Sequence, residues 1–183
     1  MLTKGEKDLT FENFKLNEKY VPALIENLIL DIDNCVFDSR EWEKYVPKEN
    51  TREGWDNYYN HYFLITINNE MVDFIDRLSK QTFPLKNIYF ITAREDIKNM
   101  RDITIEQLNS AFGNLKCWKR INKYLYMRNA CDYSPTCEVK NNILNTHILT
   151  KVKIDLAIDD DIKNIDMYRK NGIVSLHYTK YCS

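Results

Sequence analysis

Short, wholly apolar runs alternate along this chain with longer stretches in which apolar residues recur every three or four positions. Leu28-Ile29-Leu30 is too short for a helix and reads as a buried strand. "NIYFITA" (87–93), "KYLYMR" (123–128), "KIDLAIDDD" (153–161) and "IVSLH" (173–177) read as four more strands. Between them, Met71, Phe74, Ile75 and Leu78 recur at helical spacing. Ile97, Met100, Leu108 and Phe112 give the inner side of a second helix, expected over 95–112. Ser134-Pro135 predicts a cap and first-turn proline for a helix that contains Lys140, and Asn171-Gly172 is a stop for the last helix. Strands alternating with helices predict an α/β, Rossmann-like fold, with a mainly parallel five-stranded sheet and helices on both faces.

Two stretches interrupt the alternation. Residues 1–22 are polar with little periodicity and are expected as an N-terminal arm, leaving 23–183 as a single domain. Residues 37–66 crowd Trp42, Tyr45, Trp55, Tyr58, Tyr59, Tyr62 and Phe63 into a charged background, which predicts a small insert after the first strand with one or two short helices. Most of these rings are expected to pack the insert onto the sheet. Trp42 and Trp55 are the candidates for stacking on a nucleobase.

Composition narrows the class. The length of 183 residues suits one full-sized domain, and 44% apolar with 29% charged residues is a globular balance. A formal net charge of −1 means no overall pull toward nucleic acid or an acidic membrane. Five cysteines without a CxxC pair fit reduced thiols in a cytosol better than a disulfide framework. No run approaches membrane-spanning length and the N-terminus lacks the apolar core of a signal peptide. The expectation is a cytoplasmic chain with no membrane contact, and no feature points to an obligate protein partner.

The candidate chemistry sits where strands end. The first runs into Asp31-Ile32-Asp33, the second ends on Thr92, and the fourth ends on Asp159 and Asp160. In strand geometry Asp31 and Asp33 share a face, so their repulsion is costly unless a cation lies between them or one keeps its proton. An edge strand running into a turn would explain each carboxylate singly. Ligands of doubly wound sheets, however, bind beyond the carboxyl ends of the strands, and there these groups converge with Lys140. Hard carboxylate oxygens suit Mg²⁺, which takes few carboxylates plus phosphate oxygens. Asp31 could then attack phosphorus, Asp33 could protonate the leaving oxygen and later activate water, and Thr92 and Lys140 could hold the remaining phosphoryl oxygens.

The set "DIDNCV", "FITAR", "EVK" and "LAIDD" resembles the four motifs of the haloacid dehalogenase (HAD) superfamily of phosphohydrolases. More narrowly, "YMRNACDYSPTCEVKNNIL" with "KIDLAIDDDIKNIDMYRKNGI" is similar to the 3′-phosphatase domain of phage-type polynucleotide kinase-phosphatases. The resemblance implies a HAD fold, with Asp31 as nucleophile and Asp33 as acid/base. It also implies Thr92, Arg94, Lys140 and Arg128 as phosphate or substrate contacts, and a Mg²⁺ site among Asp31, Asp33, Asp159 and Asp160. Asn34, Cys35 and Asp161 depart from the motifs, standing where Gly, Thr and Arg are usual. Asn tolerates the positive φ that a glycine position demands, so the first change is survivable.

No GxxxxGK[ST] run occurs, and the insert is too small for a large cap domain, which leaves the site open to a bulky substrate. The expected function is a Mg²⁺-dependent phosphomonoester hydrolase working through an aspartyl-phosphate. Its expected substrate is a phosphorylated nucleotide or nucleic-acid end bearing a 3′-phosphate. The alternatives are a nucleoside 5′-monophosphate phosphatase and a non-catalytic phosphate-binding module.

Overall fold

The computed structural model describes residues 14–15, 24–49, 51–80, 84–97 and 99–181. The chain begins with β1 (Phe14–Lys15) and β2 (Asn27–Leu30), followed by β3 (Phe37–Asp38), α1 (Arg40–Glu43), α2 (Arg52–Asn60) and β4 (Thr66–Ile67). Next come α3 (Asn69–Ser79), β5 (Asn87–Glu95), α4 (Met100–Phe112) and β6 (Asn122–Arg128). α5 (Thr136–Ile143), β7 (Leu156–Asp159), α6 (Ile162–Lys170) and β8 (Ser175–Tyr178) complete it. The main sheet has the order β1-β8-β7-β2-β5-β6, parallel throughout except for β1, which pairs antiparallel with β8.

Strand alternation explains the two cores. Leu28, Leu30, Ile88, Phe90, Leu156 and Ile158 face one layer with Phe74, Leu78, Leu108 and Phe112 from α3 and α4. The residues between them, Ile29, Tyr89, Ile91 and Ala157, face the opposite layer with Val139, Ile143, Met167 and Tyr168 from α5 and α6. A sheet covered on both faces requires such unbroken apolar runs. The expected architecture is therefore present, with five parallel strands and helices on both faces.

β2 is the switch point of the topology. From it the chain steps to β5 and β6 on one side, then crosses to β7 and β8 on the other. The crevice beyond the carboxyl end of β2 is where such sheets place their ligands.

Several boundaries differ from expectation for local reasons. The strand expected over 153–161 is only Leu156–Asp159. Asp155 instead turns its carboxylate to accept the backbone N–H groups of Glu26 and Asn27 at 3.0 Å, holding the entry to β2. Asp161 leaves the strand and caps α6, its carboxylate accepting from the Lys163 N–H at 2.8 Å. α4 starts at Met100 rather than near 95, because β5 runs on to Glu95 through an irregular register after Thr92. Pro135 stands at the cap position of α5 rather than in its first turn, and Ser134 makes no cap bond. The Pro135 carbonyl accepts from the N–H groups of Glu138 and Val139 instead. Gly172, at φ 75°, ends α6 as expected. The arm expected over 1–22 lies outside the described residues apart from Phe14–Lys15, which add the sixth strand to the sheet.

The insert is real and is closed at its base. β3 and β4 pair antiparallel, with Phe37 opposite Ile67 and Asp38 opposite Thr66, so both ends of the insert are pinned together. Among the described residues no helix is long and apolar enough to cross a membrane.

Candidate active site

β2 ends at Leu30, and its last inter-strand bond is the Asp31 N–H to the Ile158 carbonyl, at 3.0 Å. The chain then turns sharply, with the N–H groups of Val36 and Phe37 both returning to the Ile32 carbonyl. Asn34 sits in this turn at φ 56°, the left-handed region that asparagine tolerates well. Its side chain ties the turn to the insert: Nδ2 donates to Glu43 Oε1 at 2.6 Å, and Oδ1 accepts from the Ser39 N–H and hydroxyl at 3.3 and 3.0 Å. The strand stops before Asp31, yet Asp31 and Asp33 both line the same cleft. Each carboxylate has its own cationic partner.

Asp31 meets Lys140. The ammonium lies 2.8 Å from Asp31 Oδ1 and 2.8 Å from Asp159 Oδ2, with all three side chains buried. The other oxygen of Asp159 accepts from Asn164 Nδ2 at 2.8 Å and from the Asp161 N–H at 3.1 Å, so both of its oxygens are engaged. Burial alone would strip the Lys140 proton. The charges of Asp159 and Asp31 outweigh it and hold the ammonium above its ordinary pKa. Asp31 moves the other way for a carboxylate. Burial is the largest cause, Lys140 opposes it, and the charges of Asp159 and Asp160 add to it, leaving its pKa well above the usual range.

Asp33 meets Arg94. The guanidinium Nε lies 2.9 Å from Asp33 Oδ2 and Nη2 lies 2.6 Å from Oδ1. Nη1 donates to Thr104 Oγ1 at 3.1 Å and Gln107 Oε1 at 2.6 Å, both on α4. The fully buried ring of Trp42 lies 4.9 Å beneath the guanidinium carbon and stacks on Tyr58 at 4.5 Å and 8°. Trp42 Nε1 donates to the Tyr58 carbonyl at 2.6 Å. Arg94, expected as a phosphate contact, lines the cleft with its buried guanidinium bonded to Asp33, Thr104 and Gln107. Trp42 was expected as a ring free for a base and is buried beneath Arg94. Trp55 lines the cleft half-buried.

Arg128, likewise expected at substrate, organises the loop after β6. Nε donates to the Ala93 carbonyl at 3.0 Å, Nη1 to those of Asp132 and Ser134 at 2.8 and 2.6 Å, and Nη2 to Thr136 Oγ1 at 3.3 Å. Thr92 is buried at the irregular end of β5, and its Oγ1 accepts the Arg94 N–H at 3.2 Å. All eight expected site residues except Asp159 line or floor one cleft of about 630 Å³, and Asp159 lies directly behind Lys140.

Asp31, Cys35 and Asp160 offer ligand atoms within 4.8 Å of one another, a group among the described residues that could hold a metal ion. Asp160 is pushed up to about 6, first by burial and then by the charge of Asp159. Burial and the same carboxylates raise the Cys35 thiol well above its ordinary value, so it stays neutral and offers no thiolate. What remains is two carboxylates whose mutual repulsion a hard cation would relieve, which is a fit to Mg²⁺ with phosphate and water completing the shell. Asp33 and Asp159, expected in the metal set, are bound to Arg94 and to Lys140 with Asn164.

Sequence reasoning did not find Ser39, Glu43, Asn164 or Tyr133 at the site. The first three act as hydrogen-bonding partners of motif residues, which no local pattern marks. Tyr133 lay within the quoted motif region, but its exposure depends on the fold of its loop.

A family model described as the polynucleotide kinase PNKP phosphatase domain matches residues 26–180. No curated protein sequence matches. Among solved structures, a chain of the Pnkp1/Rnl/Hen1 RNA repair complex superposes with a TM-score of 0.55 at 14% identity, covering 92% of this chain and 46% of that one. A chain from a second structure of the Pnkp1/Rnl/Hen1 complex gives 0.56 at 15% identity, covering 93% and 50%. A haloacid dehalogenase-like hydrolase from Streptococcus pneumoniae gives 0.49 at 15%, covering 84% and 83%. This chain thus spans about half the length of the two repair-complex chains, and at these identities the likeness is one of fold.

Proposed function

The chain belongs to the family of the polynucleotide kinase PNKP phosphatase domain and is a phosphoric monoester hydrolase of the HAD type; from that premise we propose that it removes a 3′-phosphate from a polynucleotide or nucleotide in a Mg²⁺-dependent reaction. The observation that carries the reading is Asp31 on the floor of the cleft, at the switch point of the sheet, with Lys140 at 2.8 Å from one of its oxygens. Two findings support the reading: the family is named for the phosphatase domain of a polynucleotide kinase, and two chains of similar fold come from an RNA repair complex.

In this mechanism a carboxylate oxygen of Asp31 attacks phosphorus and the bond to the leaving oxygen breaks. Asp33 gives that oxygen a proton, so the strand departs with a free hydroxyl. Water then attacks the phosphorus of the aspartyl-phosphate, Asp33 takes a proton from it, and inorganic phosphate leaves with the Asp31 carboxylate restored. Lys140 holds Asp31 in place and offsets the negative charge gathered there, while Thr92 supplies a hydroxyl at the phosphoryl group. Asp31 and Asp160 would hold Mg²⁺, which when bound neutralises charge on the transferred phosphoryl group. Asp159 acts one layer back, orienting Lys140.

The test is phosphate release from a 3′-phosphorylated oligonucleotide, a nucleoside 3′-monophosphate and a nucleoside 5′-monophosphate, each with Mg²⁺ or with chelator. The expected order has the oligonucleotide first, with no turnover in chelator. Turnover confined to 5′-monophosphates would replace the 3′-end reading with a mononucleotide phosphatase.

A further inference from the structure

We propose that Tyr133 is the stacking platform for the last nucleobase of a strand whose 3′ end occupies the cleft. The inference rests on the phosphatase reading and narrows its substrate.

Tyr133 is 58% exposed and lines the same cleft as Asp31 and Lys140. A single exposed aromatic is ordinary on a protein surface. This one is presented on a loop that the structure holds firmly. Arg128 donates to the carbonyls on either side of it, those of Asp132 and Ser134, and at the same time to Ala93 in β5. The Asp132 carboxylate accepts the Ser134 N–H at 3.0 Å, and Cys131 takes up a left-handed backbone at φ 63° to bring the loop round. A loop fixed beforehand loses little freedom when a ligand stacks on the ring it carries. Among the described residues no other ring stacks on Tyr133.

Further aromatic residues line the cleft. Trp55 and Tyr58 of α2 meet edge to face at 5.6 Å, and Arg52 of the same helix lies within electrostatic reach of the Tyr133 phenol. A volume of about 630 Å³ suits a ligand of nucleotide size, with the phosphate at Asp31 and the base at the rim. Stacking on one aromatic face reads no base identity, as a general end-processing enzyme needs.

The experiment crosses protein and substrate. A single-stranded 3′-phosphorylated oligonucleotide is compared with the same strand carrying an abasic terminal residue, in wild type, Tyr133→Ala and Tyr133→Phe. Removal of the base should lower kcat/KM about tenfold in wild type and in Tyr133→Phe, within the range one stacked base contributes, and less than twofold in Tyr133→Ala. An equal loss in all three proteins overturns the platform. The same two strands are also titrated onto each protein in the Asp31→Asn background by fluorescence anisotropy, which needs no turnover. Base-dependent binding lost only in Tyr133→Ala sustains the platform even where no phosphate is released, whereas binding indifferent to the base overturns it.

Discussion

The two walls of the cleft each hold one carboxylate by an ion pair, but one backs its cation with a second carboxylate and the other with an aromatic ring. On the sheet wall, Asp31 is fixed by a buried ammonium shared with Asp159, a three-member ionic cluster with almost no exposure. On the insert wall, Asp33 is fixed by a guanidinium that rests on Trp42, Tyr58 being the next ring in the stack. The ionic cluster is all-or-none: removing one member leaves an uncompensated buried charge, which is far costlier than the net worth of the pair. The aromatic stack is graded, since dispersion and cation–π contacts lose strength contact by contact. One wall should therefore fail abruptly on substitution and the other by degrees.

The largest effect is expected from Asp31→Asn. The amide keeps the volume but cannot attack phosphorus, so kcat should fall at least ~10³-fold, about 4 kcal/mol of barrier, with the fold retained by circular dichroism. Activity within tenfold of wild type would remove Asp31 from the reaction.

Lys140→Met comes next and tests the abrupt wall directly. It leaves Asp31 and Asp159 buried without their cation and should cost about 3–5 kcal/mol of stability along with roughly 10² in activity. The sign of its pH dependence follows from Asp31, whose pKa lies well above the usual carboxylate range. Without Lys140 that pKa rises further, so acidification neutralises the orphaned charge. The melting deficit of the variant should thus shrink at pH 5 relative to pH 8. An equal deficit at both would mean that Lys140 acts by packing alone.

How far this contrast was legible beforehand also divides along the two walls. The sheet wall was readable because Asp31, Thr92 and Asp159 each terminate an apolar run, and a doubly wound topology brings such ends together whatever the details. Asn34 was readable too, since its positive φ follows from a turn chemistry that few residues accept. The partners of Arg94 and Arg128 were not. An arginine beside a motif aspartate looks the same in sequence whether it faces phosphate or protein, and the deciding groups, Thr104, Gln107 and the carbonyls of Ala93, Asp132 and Ser134, carry no signal of their own. Trp42 was misread for a related reason: an aromatic in a polar insert is amphipathic information only, and the buried guanidinium that it covers comes from β5.

Trp42→Phe probes the graded wall. A smaller ring keeps some stacking on Arg94 and loses the bond to the Tyr58 carbonyl, at a cost of about 2 kcal/mol in stability. The kcat/KM for a nucleotide substrate should fall about tenfold through a misplaced Asp33, a partial loss of the roughly 10²–10⁴-fold that one acid/base group contributes. An aryl phosphate, whose leaving oxygen hardly needs a proton, should be much less affected. Equal losses on both substrates would show that Trp42 does not act through Asp33.

The smallest effect belongs to Asp160, which sits on the sheet wall but outside the ionic cluster. Its pKa, raised from 3.8 to about 6 by burial and by Asp159, means that the folded protein takes up its proton more readily than the unfolded chain does. In the absence of metal, stability should therefore fall as pH climbs from about 4 through 6 and level off above, because ionising Asp160 in place is unfavourable. A divalent cation held by Asp31 and Asp160 reverses the sign, since it binds the ionised carboxylate and must displace the proton. Apparent Mg²⁺ affinity should then be about fourfold weaker at pH 5.5 than at pH 7.5 from the protonation of Asp160 alone. The rise in melting temperature on adding Mg²⁺ should be larger at pH 7.5 than at pH 5.5, and Asp160→Asn should flatten that difference. A Mg²⁺ shift of the same size at both pH values in wild type would place the cation elsewhere than at Asp160. The ionic wall would then consist of Lys140 and its two carboxylates, with no metal-binding rim.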